Sequence, residues 1–170
     1  FGDIGAICND ASFTLIHAYC GIFRERVLAA ADRAFGHRLM MDRVVPGGVT
    51  ANLDKNGIVA IRTLLDTINR HFPELIELYD NTTSLQDRTV GTGILSSQLA
   101  TQYGAGGIVG RASGGTRDVR KMPGYAPYNG LSFEVPTRRE GDVDARVWVR
   151  IDEVKQSLRL IEQILDRLPD

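Results

Sequence analysis

The chain has 170 residues, 43% of them hydrophobic and 24% charged, which places it in the globular range with enough apolar material for one sizeable core. Lys and Arg number 20 against 21 Asp and Glu, for a net charge of -1, so no general electrostatic drive towards nucleic acid exists. No apolar run approaches the roughly 18 residues needed to span a bilayer, and the expectation is a soluble single domain over residues 1–170.

The chain opens at Phe1 in "FGDIGAICND", already inside a helix-like apolar pattern and without an initiating Met or a capping residue. It therefore reads as an interior piece of a longer chain. Ile4, Ile7, Ala11, Leu15, Ala18 and Ile22 recur at steps of three and four, which predicts one long amphipathic helix from about Gly2 to Ala34, ended by Gly36. On that helix Asp10, Thr14, His17, Gly21 and Arg24 would form a separate polar stripe. It is either a solvated face or one in which Asp10 lines an internal polar cavity. Cys8 and Cys20 on a single helix would sit roughly 18 Å apart, out of disulfide reach, and are expected to be reduced packing thiols.

After the interruption at Pro46, Gly47 and Gly48, Ile58, Ile61, Leu65 and Ile68 predict a helix from about Lys55. Pro73 is expected to open a further helix, "PELIELYDNTTSLQDR". Ser96–Tyr103 reads as a short helix, capped by Ser and stopped by Gly104. From Gly104 to Gly141 the chain is rich in Gly, Pro and polar groups, with only "LSFEVP" alternating like a strand. A stretch of that length without regular structure is functional or held by something else. Val147, Ile151, Val154, Leu158, Ile161, Leu165 and Leu168 then specify a narrow seam on a helix from about Asp144 to Leu168, stopped by Pro169. Trp148 is a packing anchor beside it. The predicted fold is mainly α, a helical bundle with long irregular loops and a small β element.

The glycine cluster "GAGGIVG" lacks the preceding strand of a dinucleotide fingerprint, so it reads as a turn-rich loop needing close backbone approach. In "RASGGTRDVRK", Asp118 lies between Arg117 and Arg120, with Ser113, Gly114 and Gly115 just before. Guanidinium forks can satisfy a carboxylate and backbone carbonyls together. The loop is therefore expected to be a buried polar network that holds irregular chain in place, with direct ligand contact as the alternative. His17, His37 and His71 have no common metal-ligand spacing, and His37 and His71 read as loop or helix-end hydrogen-bonding groups.

In order and spacing, "GDIGAICND", "FRERVL", "FGHRLMMDRVVPGGV", "DRTVGTGIL", "RASGGTRDVRK", "YAPYNGLSFEVP" and "GDVDARVWVRIDEVKQSLRLIEQILDRLP" resemble the middle of a known oxidoreductase subunit. It is the large catalytic subunit of membrane-bound nickel-iron hydrogenases of the formate hydrogenlyase type, homologous to the 49-kDa (D) subunit of respiratory complex I. The resemblance implies a subunit that lines a nickel-iron or quinone chamber. It further implies an iron-sulphur small subunit and membrane subunits as partners, and a peripheral position on the cytoplasmic side of the inner membrane. The nickel-iron centre would be held by CxxC pairs outside this chain, and iron-sulphur clusters would lie in the partner subunit, leaving no cofactor in the fragment itself.

By the same resemblance Asp10 is the first-helix carboxylate beside the chamber, paired with a His from upstream, as a proton relay. Arg111, Ser113, Gly114, Asp118 and Arg120 match the loop that buttresses the core of the large subunit. Ala6 stands where complex I members usually carry Thr, which inclines the reading to the hydrogenase side. The piece alone is expected to be inactive and to self-associate through faces that its neighbours normally cover. A non-catalytic helical scaffold for protein partners is the competing reading.

Overall fold

The computed structural model describes residues 1–168. It is mainly helical, as the apolar periodicity predicts, but the first helix is two. α1 (Gly2–Asp10) ends where the Ser12 amide donates to the Asn9 carbonyl and the Phe13 amide to that of Cys8, with Ser12 in the left-handed region at φ 62°. This is the paired bonding of a Schellman ending, on a residue other than Gly. α2 (Thr14–Phe35) then folds back on α1. The break resets the helical phase. Ile16, Cys20, Phe23, Ala30 and Ala34 are buried on α2, whereas the predicted Leu15, Ala18 and Ile22 face out. The polar stripe from Asp10 to Arg24 is therefore divided between two helices. Cys8 and Cys20 are both buried across the α1–α2 contact, rather than spaced along one rod.

Gly36 closes α2 in the left-handed conformation as expected. Beyond it, β1 (Val44–Val45) and β2 (Gly48–Val49) form a two-residue antiparallel ribbon around the Pro46–Gly47 turn. The small β element lies here and not at "LSFEVP". Asp54 caps α3 (Lys55–Asn81) by accepting from the Gly57 amide at 2.7 Å. Gly57 faces α2 closely enough that a Cβ would sit 3.0 Å from the Ala34 Cα. Pro73 lies inside α3 and starts no new helix. The residue is exposed, so the carbonyl its ring displaces faces water, where a helix tolerates the loss. The break comes instead at Thr82, followed by α4 (Thr83–Thr89). Ser96 caps α5 (Ser97–Gln102) as expected. A further short helix, α6 (Gly107–Ala112), arises within the glycine-rich stretch that was expected to be irregular.

α7 (Val143–Leu165) carries the predicted seam: Val147, Ile151, Leu158 and Leu165 are buried, and Val154 and Ile161 pack beside them. Leu168 lies beyond the helix and is 38% exposed; Pro169, the expected stop, is outside the described residues. α7 runs antiparallel to α3: Tyr79 meets Trp148 and Asp144, Asn69 meets Glu162, and Arg62 meets Asp166. Phe1, Phe23 and Phe72 form an aromatic cluster with centroids 5.2–6.2 Å apart that joins the chain start to α2 and α3. The core thus sits between α1, α2, α3 and α7.

"LSFEVP" is extended without a ladder. Gln163 accepts from the Ser132 amide and donates to the Ser132 carbonyl, both at 2.8 Å, and Gln156 accepts from the Glu134 amide at 3.1 Å. Side-chain amides of α7 do the work of a neighbouring strand.

Candidate functional site

The polar loop from Arg111 is built on backbone bonds between distant segments. The Arg138 amide donates to the Arg111 carbonyl, the Gly141 amide to that of Ala112, and the Leu95 amide to that of Gly141, at 2.8–2.9 Å. Gly141 is needed here: at φ +69°, a Cβ would lie 2.1 Å from the Leu95 carbonyl oxygen. Asp118, 8% exposed, is gripped by Arg120 through two side-chain bonds of 2.9 and 2.5 Å. It also accepts from the Arg120 amide at 3.0 Å. These bonds from Arg120 hold the Asp118 carboxyl below the usual carboxylate range, against the opposing effect of burial. Arg117, expected to share this carboxylate, is exposed and has no carboxylate partner among the described residues. The buried Arg111 guanidinium reaches Glu153 on α7. Ser113 is 1% exposed with no partner for its Oγ, and the Arg111 Nε is likewise unpaired. Gly114, at φ +95°, lets the chain pass beside Ser97.

Arg111, Ser113, Gly114 and Arg117 border a cavity of about 260 Å³, whereas Asp118 and Arg120 lie outside its lining. Its floor is glycine backbone packed so closely that a Cβ on Gly110 would lie 2.2 Å from the Ala105 carbonyl oxygen. That is the close approach the glycine cluster implied. No strand leads into it, so it is not a dinucleotide loop.

Asp10 is the last residue of α1, exposed, and without an ion pair or side-chain hydrogen bond among the described residues. Another α1 carboxylate, Asp3, is held by Arg150 of α7 at 3.0 Å. Neither Asp3 nor three further polar contacts were singled out from the sequence. Asp142 caps α7 through the Ala145 amide and also accepts from the Gly91 amide, at 2.8 and 2.7 Å. Arg138 pairs with Asp152 at 2.5 Å. Buried Tyr79 donates to Asp144 at 2.7 Å. Burial pushes both Tyr79 and Asp144 up, and nearby Asp142, Asp80 and Glu140 add to the rise at Asp144. Only Asp142 had a local signal, a carboxylate immediately before the α7 pattern. The others join residues 65 or more apart, or depend on a loop path that periodicity does not encode.

No group of three or more His, Cys, Asp or Glu side chains converges as a metal would require among the described residues. Burial pushes the Cys8 thiol up to about 12 and that of Cys20 up to about 11. Both are packing groups and poor sources of thiolate. No helix among the described residues is long and apolar enough to cross a membrane.

The architecture defines a class: a mainly helical domain whose long α7 ties an ion-paired, glycine-rich loop to the bundle. The model of the 49 Kd subunit of respiratory-chain NADH dehydrogenase matches residues 10–170, and the chain belongs to that family. It is 35% identical over 147 residues to the first D subunit of NADH-quinone oxidoreductase from Roseiflexus sp. (strain RS-1), covering 86% of this chain and 39% of that protein. The D subunit of the same enzyme from Desulfotalea psychrophila is 36% identical over 146 residues, with the same two coverages. The C/D subunit from Bacteroides thetaiotaomicron is 35% identical over 147 residues, and the match covers 28% of its length. The chain thus spans about two-fifths or less of these relatives.

Proposed function

We propose that this chain is the interior part of the large subunit of a quinone-reducing oxidoreductase complex. In this reading it forms one wall of a redox chamber, beside an iron-sulphur subunit and above membrane subunits. The match to the 49 Kd subunit family over residues 10–170 carries the reading. A bound quinone would supply two-electron, two-proton redox chemistry. This chain's part is to fix the chamber wall and to place carboxylate at it. Asp10 fits that task as an exposed carboxylate, at a helix end, with no partner of its own among the described residues. Paired with an imidazole from elsewhere in the parent subunit, it would hold that ring protonated and ready to donate. Arg111, Ser113, Gly114, Asp118 and Arg120 buttress the wall from behind. The isolated chain is inactive in this reading.

Asp10→Asn in the assembled complex is expected to lower quinone reduction by about a hundredfold, the lower end of the scale for a positioned proton donor, because the imidazole loses the carboxylate that keeps it protonated, with assembly intact. Asp3→Asn is the parallel variant. Loss of activity in Asp3→Asn with Asp10→Asn fully active would assign the role to Asp3, and full activity in both would remove the carboxylate from the mechanism.

A second reading, a nickel-iron hydrogenase large subunit, is favoured by Ala6 and by the wording of "GDIGAICND" and "FGHRLMMDRVVPGGV". Cys8 and Cys20 do not suit the ligand role, so this reading needs CxxC pairs elsewhere in the parent chain. Metal analysis of the full-length protein tests this second reading: stoichiometric nickel would establish it, and a nickel-free protein would remove it.

A further inference from the structure

The cavity beside α6 has a polar lining that carries charge of one sign. Hydroxyl-bearing Ser97, Thr101, Ser113 and Thr116 line it together with Arg111 and Arg117, and no Asp or Glu does. Its apolar lining is limited to alanine and glycine. Two buried polar atoms on its wall residues, the Ser113 Oγ and the Arg111 Nε, have no hydrogen-bond partner. A buried donor left unpaired costs roughly 1–3 kcal/mol; both atoms are closed off from solvent, so they add to the polar character of the wall without touching a ligand in the cavity.

The local charge balance points the same way. Arg111 is neutralised by Glu153, and Arg120 by Asp118. Arg117 remains at the rim and Arg139 lies nearby without lining the cavity, both exposed and neither paired with a carboxylate among the described residues. The Arg139 Cγ lies 4.0 Å from where a Cβ on Gly114 would sit. The Thr101 hydroxyl already donates to the Ser97 carbonyl at 2.8 Å. Two uncompensated guanidinium groups, the Ser97 and Thr116 hydroxyls and the uncrowded backbone at Gly104, Gly106 and Gly107 nevertheless suit a compact negative group with several acceptor oxygens.

We propose that this cavity binds a small oxyanion, held by Arg117 at the rim, with Arg139 close by, and by the Ser97 and Thr116 hydroxyls. The oxyanion is either free phosphate or a carboxylate supplied by a segment of the parent protein beyond this chain. The site is separate from Asp10 and does not depend on the redox reading.

The test is hydrogen exchange over residues 104–117 in the full-length protein within its assembled complex. Inorganic phosphate is titrated at constant ionic strength held with chloride, for the wild type, Arg117→Gln and Arg70→Gln. The last removes an exposed charge from α3 as a control. If free phosphate is the ligand, exchange slows saturably in the wild type and in Arg70→Gln. The midpoint then rises by about tenfold in Arg117→Gln, the effect of one charged hydrogen bond. If the parent chain supplies a carboxylate, the segment is already protected, phosphate changes nothing, and Arg117→Gln alone releases the protection. The proposal is overturned if exchange responds to neither phosphate nor Arg117→Gln, if chloride acts as phosphate does, or if Arg70→Gln behaves like Arg117→Gln.

Discussion

Asp142 illustrates how much one short side chain can organise. One oxygen caps α7 at Ala145 and the other holds the Gly91 amide, while the residue itself is 5% exposed. Asp142→Ala removes a helix cap and strands two amides, so it is expected to cost about 1–3 kcal/mol, read as a lower urea midpoint. Asp118 makes a different prediction because its pKa falls on folding. A lowered carboxylate pKa stabilises the fold fully above the unfolded value, about pH 4. That contribution is lost as acid carries the solution through the folded pKa. Asp118→Asn is therefore expected to reduce stability at pH 7 and to flatten the acid limb of a stability-against-pH curve below about pH 4. An unchanged acid limb would show that Arg120 does not hold the carboxylate in solution.

At the scale of the element, the α1–α2 contact depends on the absence of a side chain. A Cβ on Gly5 would sit 2.8 Å from that of Cys20 and 3.3 Å from the His17 Cα. Gly5→Val is expected to destabilise by about 1–3 kcal/mol, the usual cost of overpacking a well-filled contact. Thermal unfolding measures it, and Ala6→Val, at an exposed neighbouring position, is the control. This contact also shows where the sequence is legible. The α7 seam is readable because one uninterrupted helix preserves one phase over its whole length. α1 and α2 are not, because Ser12 adopts a left-handed conformation without a glycine to announce it, and apolar steps of three and four run across the break by coincidence. Pro73 misleads for the opposite reason: its usual cost is small where the freed carbonyl meets water. The Asp118–Arg120 grip is legible because its partners are two residues apart. The Arg111–Glu153 pair is not, since it depends on how the loop returns to α7.

At the scale of the whole molecule, apolar side chains remain uncovered on several sides. Leu15, Tyr19 and Ile22 on α2 are each close to half exposed. Leu39, Met41, Val44 and Val49 around the ribbon are more exposed still. Monomeric proteins rarely leave such patches open unless a neighbour covers them. The 170-residue chain on its own is expected to self-associate at micromolar concentration, seen as concentration-dependent sedimentation. A clean monomer over the accessible range would show that these faces need no cover.

The segment 131–136 leads to a last consequence. A lone extended stretch usually offers its free amides and carbonyls to any passing chain, which is how misassembled fibres begin. Here Gln156 and Gln163 already occupy one margin of that stretch. Replacing both glutamines would leave the helix intact while uncovering a sticky border, turning a protected ribbon into a seed for runaway pairing.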